Sequence, residues 1–136
     1  MSIRYARQEA LWGEKGQQKL ADSHVAVIGA GGLGSPALLY LAGAGVGRIS
    51  LFDDDLVSPS NLHRQVIHTT ASIGTVKTES AATAVRALNP EVELICHGRL
   101  ESATALEQLR GCDVVLDGTD NFDARYLCSW AAHSLG

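Results

Sequence analysis

The chain has 136 residues, a length typical of one domain and too short for two complete ones. Fifteen acidic and eleven basic residues leave a formal charge of −4, which disfavours binding to nucleic acid through charge alone. No apolar run is long enough to span a membrane, and the N-terminus lacks the apolar core of a signal peptide. We therefore expect a soluble, cytoplasmic protein with no nucleic-acid or membrane partner.

Short apolar runs alternate with helical patterns along the chain. After a predicted helix at about 7–20, strands are predicted near 24–29, 48–53, 92–96 and 112–117. Helical patterns lie between them at 33–44, 77–88 and 102–109, and a last helix begins near Asn121. The first and fourth strands lack polar alternation, which is typical of strands buried on both faces. The pattern predicts an α/β, Rossmann-like fold: a parallel sheet with helices on both faces.

The segment after the first predicted strand is rich in glycine. Its sequence, GAGGLG at 29–34, matches G-x-G-x-x-G between a strand and a helix, where backbone N–H groups meet a phosphate. Asp53 ends the second strand 19 residues after Gly34, where a carboxylate accepts hydrogen bonds from ribose hydroxyls. These residues predict a bound nucleotide with a free 2′-hydroxyl. The loop alone favours NAD or FAD, and a glycine-rich turn without a ligand is the simplest alternative.

Polar residues in the following segments favour a polyphosphate instead. The connection from Asp53 to Lys77 contains Asn61 and Arg64, and its cations would suit a triphosphate. Asp120 follows the fourth strand and so falls at the same sheet edge, where a carboxylate beside a triphosphate typically holds Mg²⁺. Each residue also has a simpler interpretation, with Asp120 as a helix cap, Asn61 as a turn residue and the cations on the surface. Together, these simpler interpretations leave a long polar loop unexplained.

The cysteines and histidines add no second chemistry. Cys96, Cys112 and Cys128 form no C-x-x-C pair, which predicts mostly structural, reduced thiols. Cys112 falls at the start of a predicted buried strand and Cys128 within a helix, so neither is expected to be a reactive thiol. None of the five histidines shows the spacing of a metal site or of a general base.

Several separated motifs carry a family resemblance. RYARQ, GAGGLG, LAGAGVGRISLFDDD, SNLHRQ, Lys77 and DGTDN occur in this order. Their combination resembles the N-terminal adenylation segment of the ubiquitin-activating-enzyme-like family, most closely its ThiF/MoeB/HesA branch. That branch adenylates small ubiquitin-like sulfur-carrier proteins for thiamine or molybdopterin synthesis, and GQQKLADS and YLAGAGVG are slightly more similar to the thiamine members.

The resemblance assigns a role to each matching position. The nucleotide would be bordered by Gly29, Gly31, Gly32 and Gly34, with Asp53 on the ribose. Asn61, Arg64 and Lys77 would hold the triphosphate, and Asp120, beside Asn121, would bind Mg²⁺. Arg7 would reach into the partner's site of a homodimer. The implied reaction joins ATP to the carrier's C-terminal glycine carboxylate and releases pyrophosphate.

The resemblance covers nearly all of residues 1–136, which we interpret as the N-terminal portion of one ATP-binding adenylation domain. Family members continue with further sheet, the carrier groove and C-x-x-C pairs for zinc, so zinc is expected only beyond this segment. Gly118 stands where the family often has cysteine. We expect the segment alone to associate through an open sheet edge and to adenylate poorly. A dinucleotide-dependent oxidoreductase domain and a catalytically incomplete binding module remain the alternatives.

Overall fold

The computed structural model describes residues 3–136, whose centre is one parallel sheet of four strands. The strands are β1 (His24–Ile28), β2 (Arg48–Phe52), β3 (Glu93–His97) and β4 (Val114–Asp117), in the spatial order β3-β2-β1-β4. The helices are α1 (Ala6–Ala21), α2 (Gly34–Ala44), α3 (Lys77–Leu88), α4 (Ala105–Leu109) and α5 (Phe122–Leu135). The strand order reverses between β1 and β4, the switch point at which ligands bind in doubly wound sheets. The predicted Rossmann-like architecture is confirmed.

Two apolar cores cover the two faces of the sheet, because side chains alternate along each strand. One core contains Val25 and Val27 of β1 together with residues of α2 and α3. The other contains Ala26 and Ile28 together with residues of α4 and α5. β1 is therefore buried on both faces, as its apolar sequence predicts.

Helix α1 is bent at Gly13, whose φ of +73° and ψ of 176° lie outside the helical range. Glycine tolerates a positive φ without the steric cost that a Cβ atom brings. The N-terminus of α1 is fixed to the rest of the fold by Tyr5, whose hydroxyl donates to Glu91 at 2.8 Å and accepts from Asn89 at 2.8 Å. The predicted helix is present, and one of its two interior glycines produces a bend.

Strand β4 differs from the prediction. It begins at Val114, because Cys112 lies in the preceding turn, where its N–H donates to the carbonyl oxygen of Leu109 at 3.1 Å. Burial of β4 on both faces was also expected, and this expectation is wrong, since Val114 is 50% exposed. β4 pairs only with β1 and forms one edge of the four-stranded sheet, so one side of the strand lacks a neighbour.

Two smaller points of the sequence analysis are also corrected. Asn121 caps α5, accepting from the N–H of Ala124 at 2.8 Å, so Asp120 is not the cap. Helix α4 begins at Ala105 because a turn occupies the first residues of the predicted helix. Cys96 lies on β3 and is exposed. Among residues 3–136, no helix has the length and apolar character needed to cross a membrane.

Candidate functional site

A cavity of about 1010 Å³ opens where β1, β2 and β4 end. This is the carboxyl edge of the sheet at its switch point, the usual ligand site of such folds. Eight of the residues that the sequence singled out line this cavity: Gly29, Gly31, Gly32, Asp53, Arg64, Lys77, Asp120 and Asn121. The structure thus brings together motifs that lie as far apart as 92 positions in the chain, from Gly29 to Asn121.

The glycines of the loop have two different functions in the structure. Gly29 has a φ of +97°, a left-handed conformation that favours glycine. A Cβ atom on Gly34 would lie 1.7 Å from the carbonyl oxygen of Gly29, so Gly34 allows α2 to pack against the loop. By contrast, a Cβ atom on Gly31 or Gly32 would meet only side-chain atoms, at 3.6 Å. Gly34 does not line the cavity, whereas the predicted border residues Gly31 and Gly32 do.

The loop leaves hydrogen-bond donors available at the cavity. The carbonyl oxygen of Gly31 accepts from the N–H of Ser35 at 2.9 Å, which fixes the first turn of α2. The N–H groups of Gly31 and Gly32 donate a hydrogen bond to no acceptor among residues 3–136. Free N–H groups beside a helix N-terminus form an anion-binding arrangement.

Asp53 is held in place at the end of β2 by two backbone donors. Its Oδ2 accepts from the N–H of Ala30 at 2.9 Å, and its Oδ1 accepts from the N–H of Asp55 at 2.8 Å. The first bond links the end of β2 directly to the glycine loop. An ionised carboxylate has further lone pairs, so Asp53 can still accept hydrogen bonds from two ribose hydroxyls.

Two cations lie near the loop in contrasting surroundings. Lys77 is only 6% exposed at the start of α3, and its Nζ lies 3.8 Å from Oδ2 of Asp55, a long ion pair. A buried ammonium loses its hydration, and one distant carboxylate offsets little of that free-energy cost, so binding of an additional anion beside Lys77 is favourable. Arg64 is exposed, and its Cδ lies 3.6 Å from the position of a Cβ atom on Gly32. Both side chains therefore lie at the cavity wall with the free N–H groups.

Apolar side chains form another part of the wall. Ile28, Phe52, Leu100 and Leu127 line the cavity and belong to the core between the sheet and α4 and α5. Phe52 also stacks on His97, with 4.3 Å between the ring centroids. An apolar wall beside a polar, cationic wall suits a ligand with a flat base and a charged end.

Some carboxylates of the cavity form ion pairs within the protein, and others do not. Asp55 pairs with Lys77, and Asp54 pairs with Arg99 at 3.9 Å. Asp120 is exposed at the cavity and has no hydrogen-bond or ion-pair partner among residues 3–136. Its free carboxylate is a hard oxygen donor of the kind that Mg²⁺ prefers, so the predicted position fits this ion.

Besides Gly34, two predicted residues lie outside the cavity wall. Asn61 ends a 3₁₀ turn, Pro59–Asn61, and its carbonyl oxygen accepts from the N–H of Gln65 at 2.9 Å. It therefore shapes the loop that carries Arg64. Arg7 is exposed on the first turns of α1 and does not line the cavity of its own chain.

The thiols of Cys112 and Cys128 are not activated. Burial raises the pKa of Cys128 to about 11, and burial together with Asp113 raises the pKa of Cys112. The thiolate, which is the nucleophilic form, is therefore disfavoured at both positions near neutral pH. The expectation that neither residue is a reactive thiol agrees with these environments.

Sequence reasoning missed three residues near the site. Gln65 lines the cavity at 4% exposure, and its Oε1 has no hydrogen-bond partner among the described residues. Its place in SNLHRQ beside Arg64 was a usable signal. Arg99 follows β3 without any motif, and His68 contacts the glycine loop from an unremarkable sequence position. No spacing rule distinguishes these two residues from surface residues.

Known proteins match both the sequence and the fold. The ThiF family model matches residues 5–136. The adenylyltransferase and sulfurtransferase UBA4 of Saccharomyces cerevisiae is 47% identical over 98% of this chain and 31% of its own length. The adenylyltransferase and sulfurtransferase MOCS3 of Drosophila yakuba is 51% identical over 97% of this chain and 30% of its own. The chain thus spans about 30% of the length of these curated relatives.

Solved structures show the same architecture. The tRNA N6-threonylcarbamoyladenosine dehydratase TcdA of E. coli, in complex with ATP, matches with a TM-score of 0.88 at 31% identity. The match covers 96% of this chain and 55% of TcdA. A complex of the same protein with AMP matches with a TM-score of 0.89. The motif resemblance is confirmed by a family match over almost every residue and by a shared fold, and the chain belongs to the ThiF family.

Proposed function

We propose that this protein adenylates the C-terminal glycine carboxylate of a small ubiquitin-like sulfur-carrier protein with ATP, releasing pyrophosphate. Support comes from the names of UBA4 and MOCS3, both adenylyltransferases and sulfurtransferases, and from the ATP and AMP complexes of TcdA. The carrier would serve thiamine or molybdopterin synthesis. The segments GQQKLADS and YLAGAGVG favour the carrier of thiamine synthesis.

One observation carries the proposal more than any other. The free N–H groups of Gly31 and Gly32, the buried Lys77 and Arg64 line one wall of the same cavity. A dinucleotide pyrophosphate needs the loop but no buried lysine close to it. A triphosphate whose α-phosphate gains charge during attack needs both, because catalysis of this reaction is mainly electrostatic.

The proposed reaction requires no general base. At neutral pH the carrier's carboxylate is already ionised, and its oxygen attacks the α-phosphorus of ATP. The bond from this phosphorus to the bridging oxygen breaks, and pyrophosphate leaves with the electron pair. Asp53 would hold the ribose, the N–H groups of Gly31 and Gly32 would hold phosphate oxygens, and Lys77 and Arg64 would stabilise the developing charge.

A divalent cation is part of the proposal. Six acidic and four basic side chains line the cavity, so a bare triphosphate would meet a net negative wall. Mg²⁺ would neutralise part of the phosphate charge, and the unpaired Asp120, beside Asn121, is the residue that would hold it. Removal of Mg²⁺ with a chelator should therefore weaken ATP binding.

The partner subunit and the location of the protein are further parts of the proposal. Arg7 lies exposed and outside its own cavity, which fits a role in the site of a second copy in a homodimer. Arg7→Ala chains mixed with Lys77→Ala chains would then form dimers with one intact site. Partial recovery of activity in that mixture would support the contribution of Arg7 from one subunit to the site of the other. A cytoplasmic location stays a prediction.

Competing nucleotides test the proposal. Calorimetric titration should show binding of ATP with Mg²⁺ and no comparable binding of NAD⁺. Mass spectrometry should then detect a carrier adenylate when ATP, Mg²⁺ and the carrier are mixed with the enzyme. Tight NAD⁺ binding would favour the oxidoreductase alternative. ATP binding without any carrier adenylate would favour the binding module.

A further inference from the structure

His68 is buried beneath the glycine loop and contacts it directly. The residue is 5% exposed, and its Nε2 lies 2.9 Å from the carbonyl oxygen of Ala30. Its Nδ1 lies 2.7 Å from Oγ of Ser80, a residue of α3 that is 7% exposed. Both ring nitrogens are thus engaged, and His68 connects α3 to the loop.

The two contacts determine where the hydrogen atoms lie. A backbone carbonyl oxygen can only accept, so Nε2 of His68 must carry a hydrogen and donate it to Ala30. In the neutral ring Nδ1 then accepts from the hydroxyl of Ser80. Burial, with a further contribution from the Lys77 ammonium, lowers the pKa of His68, while the Ala30 hydrogen bond and Asp53 oppose this shift. The ring is therefore neutral near pH 7.

The Ala30 carbonyl belongs to the peptide group that ends in the Gly31 N–H. No peptide bond in residues 3–136 is cis, so this peptide is planar and trans, and its N–H points opposite to its carbonyl. With the carbonyl directed into the protein toward His68, the N–H is directed away from it. Gly31 lines the cavity, and this N–H has no acceptor among the described residues.

We propose that His68 is a positioning residue, which orients the Ala30–Gly31 peptide so that the Gly31 N–H donates to a phosphate of the bound nucleotide. The inference rests on the proposed ATP site and adds a residue to it. Asp53 holds the N–H of Ala30 at 2.9 Å while His68 holds its carbonyl, so Ala30 is fixed from both sides before the ligand arrives. Such preorganisation reduces the entropy that the ligand would otherwise have to supply.

The ligand-free protein provides the first test. Nitrogen-15 NMR of the full chain at pH 7.5 should show His68 as the Nε2–H tautomer. His68→Leu should shift the Gly31 amide resonance, and His68→Gln, whose amide can also donate to Ala30, should shift it less. The Nδ1–H tautomer would overturn the proposal, because Nε2 could not then donate to the carbonyl. This test does not depend on whether ATP binds.

Binding of ATP and of adenosine provides the second test. Loss of one oriented hydrogen bond to a charged group predicts about tenfold weaker ATP binding by His68→Leu, with adenosine binding changed less than about twofold. His68→Gln should recover most of the ATP affinity. Ser80→Ala removes only the hydrogen bond between Oγ of Ser80 and Nδ1 of His68, and it should weaken ATP binding by about threefold. This milder variant should fold even if His68→Leu does not.

The outcomes separate this inference from the proposed function. Equal loss of ATP and adenosine affinity would indicate general damage to the site and would overturn the positioning role. Unchanged ATP affinity in folded His68→Leu, or in Ser80→Ala if the leucine variant does not fold, would also overturn it. Failure of the unaltered protein to bind ATP would contradict the proposed function, and the NMR measurement would then decide the orientation of the loop independently.

Discussion

Lys77 is the cation whose surroundings differ most from those of a surface charge. It is 6% exposed, its backbone N–H donates to the carbonyl oxygen of Asp55 at 2.9 Å, and its ammonium has only a long contact with the Asp55 carboxylate. A folded protein tolerates such a residue at a cost in desolvation. Binding of an anionic ligand by the Lys77 ammonium would offset this desolvation cost.

Substitution of Lys77 tests this function. Lys77→Met removes the charge but keeps an unbranched side chain, and it should lower the rate of carrier adenylation at least about 10²-fold, a typical effect of one electrostatic catalytic group. The free energy of unfolding should stay equal or rise, because the poorly paired buried charge is gone. Arg99→Met is the matched control, since Arg99 lines the same cavity but is exposed. Equal effects of both substitutions on adenylation would show that Lys77 has no special role.

The two kinds of loop glycine predict opposite outcomes of substitution. Gly31→Val should leave the melting temperature within a few degrees of the original, since the nearest atom to its Cβ would be Nε2 of Gln65 at 3.6 Å. The same substitution should abolish ATP binding, because the branched side chain would occupy the part of the cavity where the phosphate approaches the loop. Gly34→Ala should instead unfold or strongly destabilise the chain, because its Cβ would overlap the Gly29 carbonyl at 1.7 Å. Thermal unfolding followed by ATP titration distinguishes the two. A stable Gly34→Ala variant would refute the packing role.

One buried and two half-buried histidines make the stability depend on pH. Burial lowers the pKa of His24, His68 and His97 below the usual 6.5. As the pH falls through 6.5, the unfolded chain therefore binds protons that the folded chain does not, and the free energy of unfolding decreases. Above this pH the three residues contribute no slope.

Urea unfolding at pH 7.5 and at pH 5.5 measures this effect. The free energy of unfolding should fall less between pH 7.5 and pH 5.5 in His97→Gln than in the original protein. The difference should be at most about 1.4 kcal/mol per pH unit, the contribution of one proton. His133→Gln is a suitable comparison because His133 is exposed on α5. If His97→Gln and His133→Gln change the slope equally, burial of His97 is not the cause.

At the scale of elements, the sequence predicts the helices and strands because their signals are local. Alternation of short apolar runs with helical periodicity was sufficient for four strands and a parallel sheet. The burial of β4 was not predictable in the same way, because its exposure depends on which strands lie beside it. The hydrogen bond from His68 to Ala30 joins residues 38 positions apart, and only the folded path of the loop brings them together.

The segment from Asp53 to Lys77 shows how a polar stretch gains structure. Two 3₁₀ turns, Pro59–Asn61 and Thr70–Ser72, divide it, and an isolated bridge joins Leu56 to Val76. Ile67 is 2% exposed and fixes the middle of the segment in the core between the sheet and α2 and α3. This long polar loop is therefore anchored at its ends and its centre.

At the scale of the whole molecule, one group of exposed apolar side chains lies on α5 and the adjacent edge strand β4. Helix α5 presents Phe122, Tyr126 and Trp130 at a spacing of four residues, and they are 74%, 72% and 49% exposed. Val114 lies on the neighbouring edge strand β4 and is also half exposed. Exposed apolar patches and open strand edges both favour association.

The 136-residue chain on its own should therefore associate in solution. Light scattering should give a mass above that of the monomer at micromolar concentration, and Val114→Lys combined with Tyr126→Lys should reduce it. Lys19→Glu changes an exposed charge on α1 and serves as the control. A strictly monomeric chain would contradict the importance of this surface.

Pyrophosphate exchange tests the central claim most directly. Radiolabelled pyrophosphate, ATP, Mg²⁺ and the carrier protein are incubated with the full-length enzyme, and labelled ATP is measured. Reversible adenylation predicts label in ATP only when the carrier is present with a free C-terminal carboxylate, and none with a C-terminally amidated carrier. Exchange that does not depend on this carboxylate, or no exchange by an enzyme that binds both ATP and the carrier, would contradict the proposed reaction.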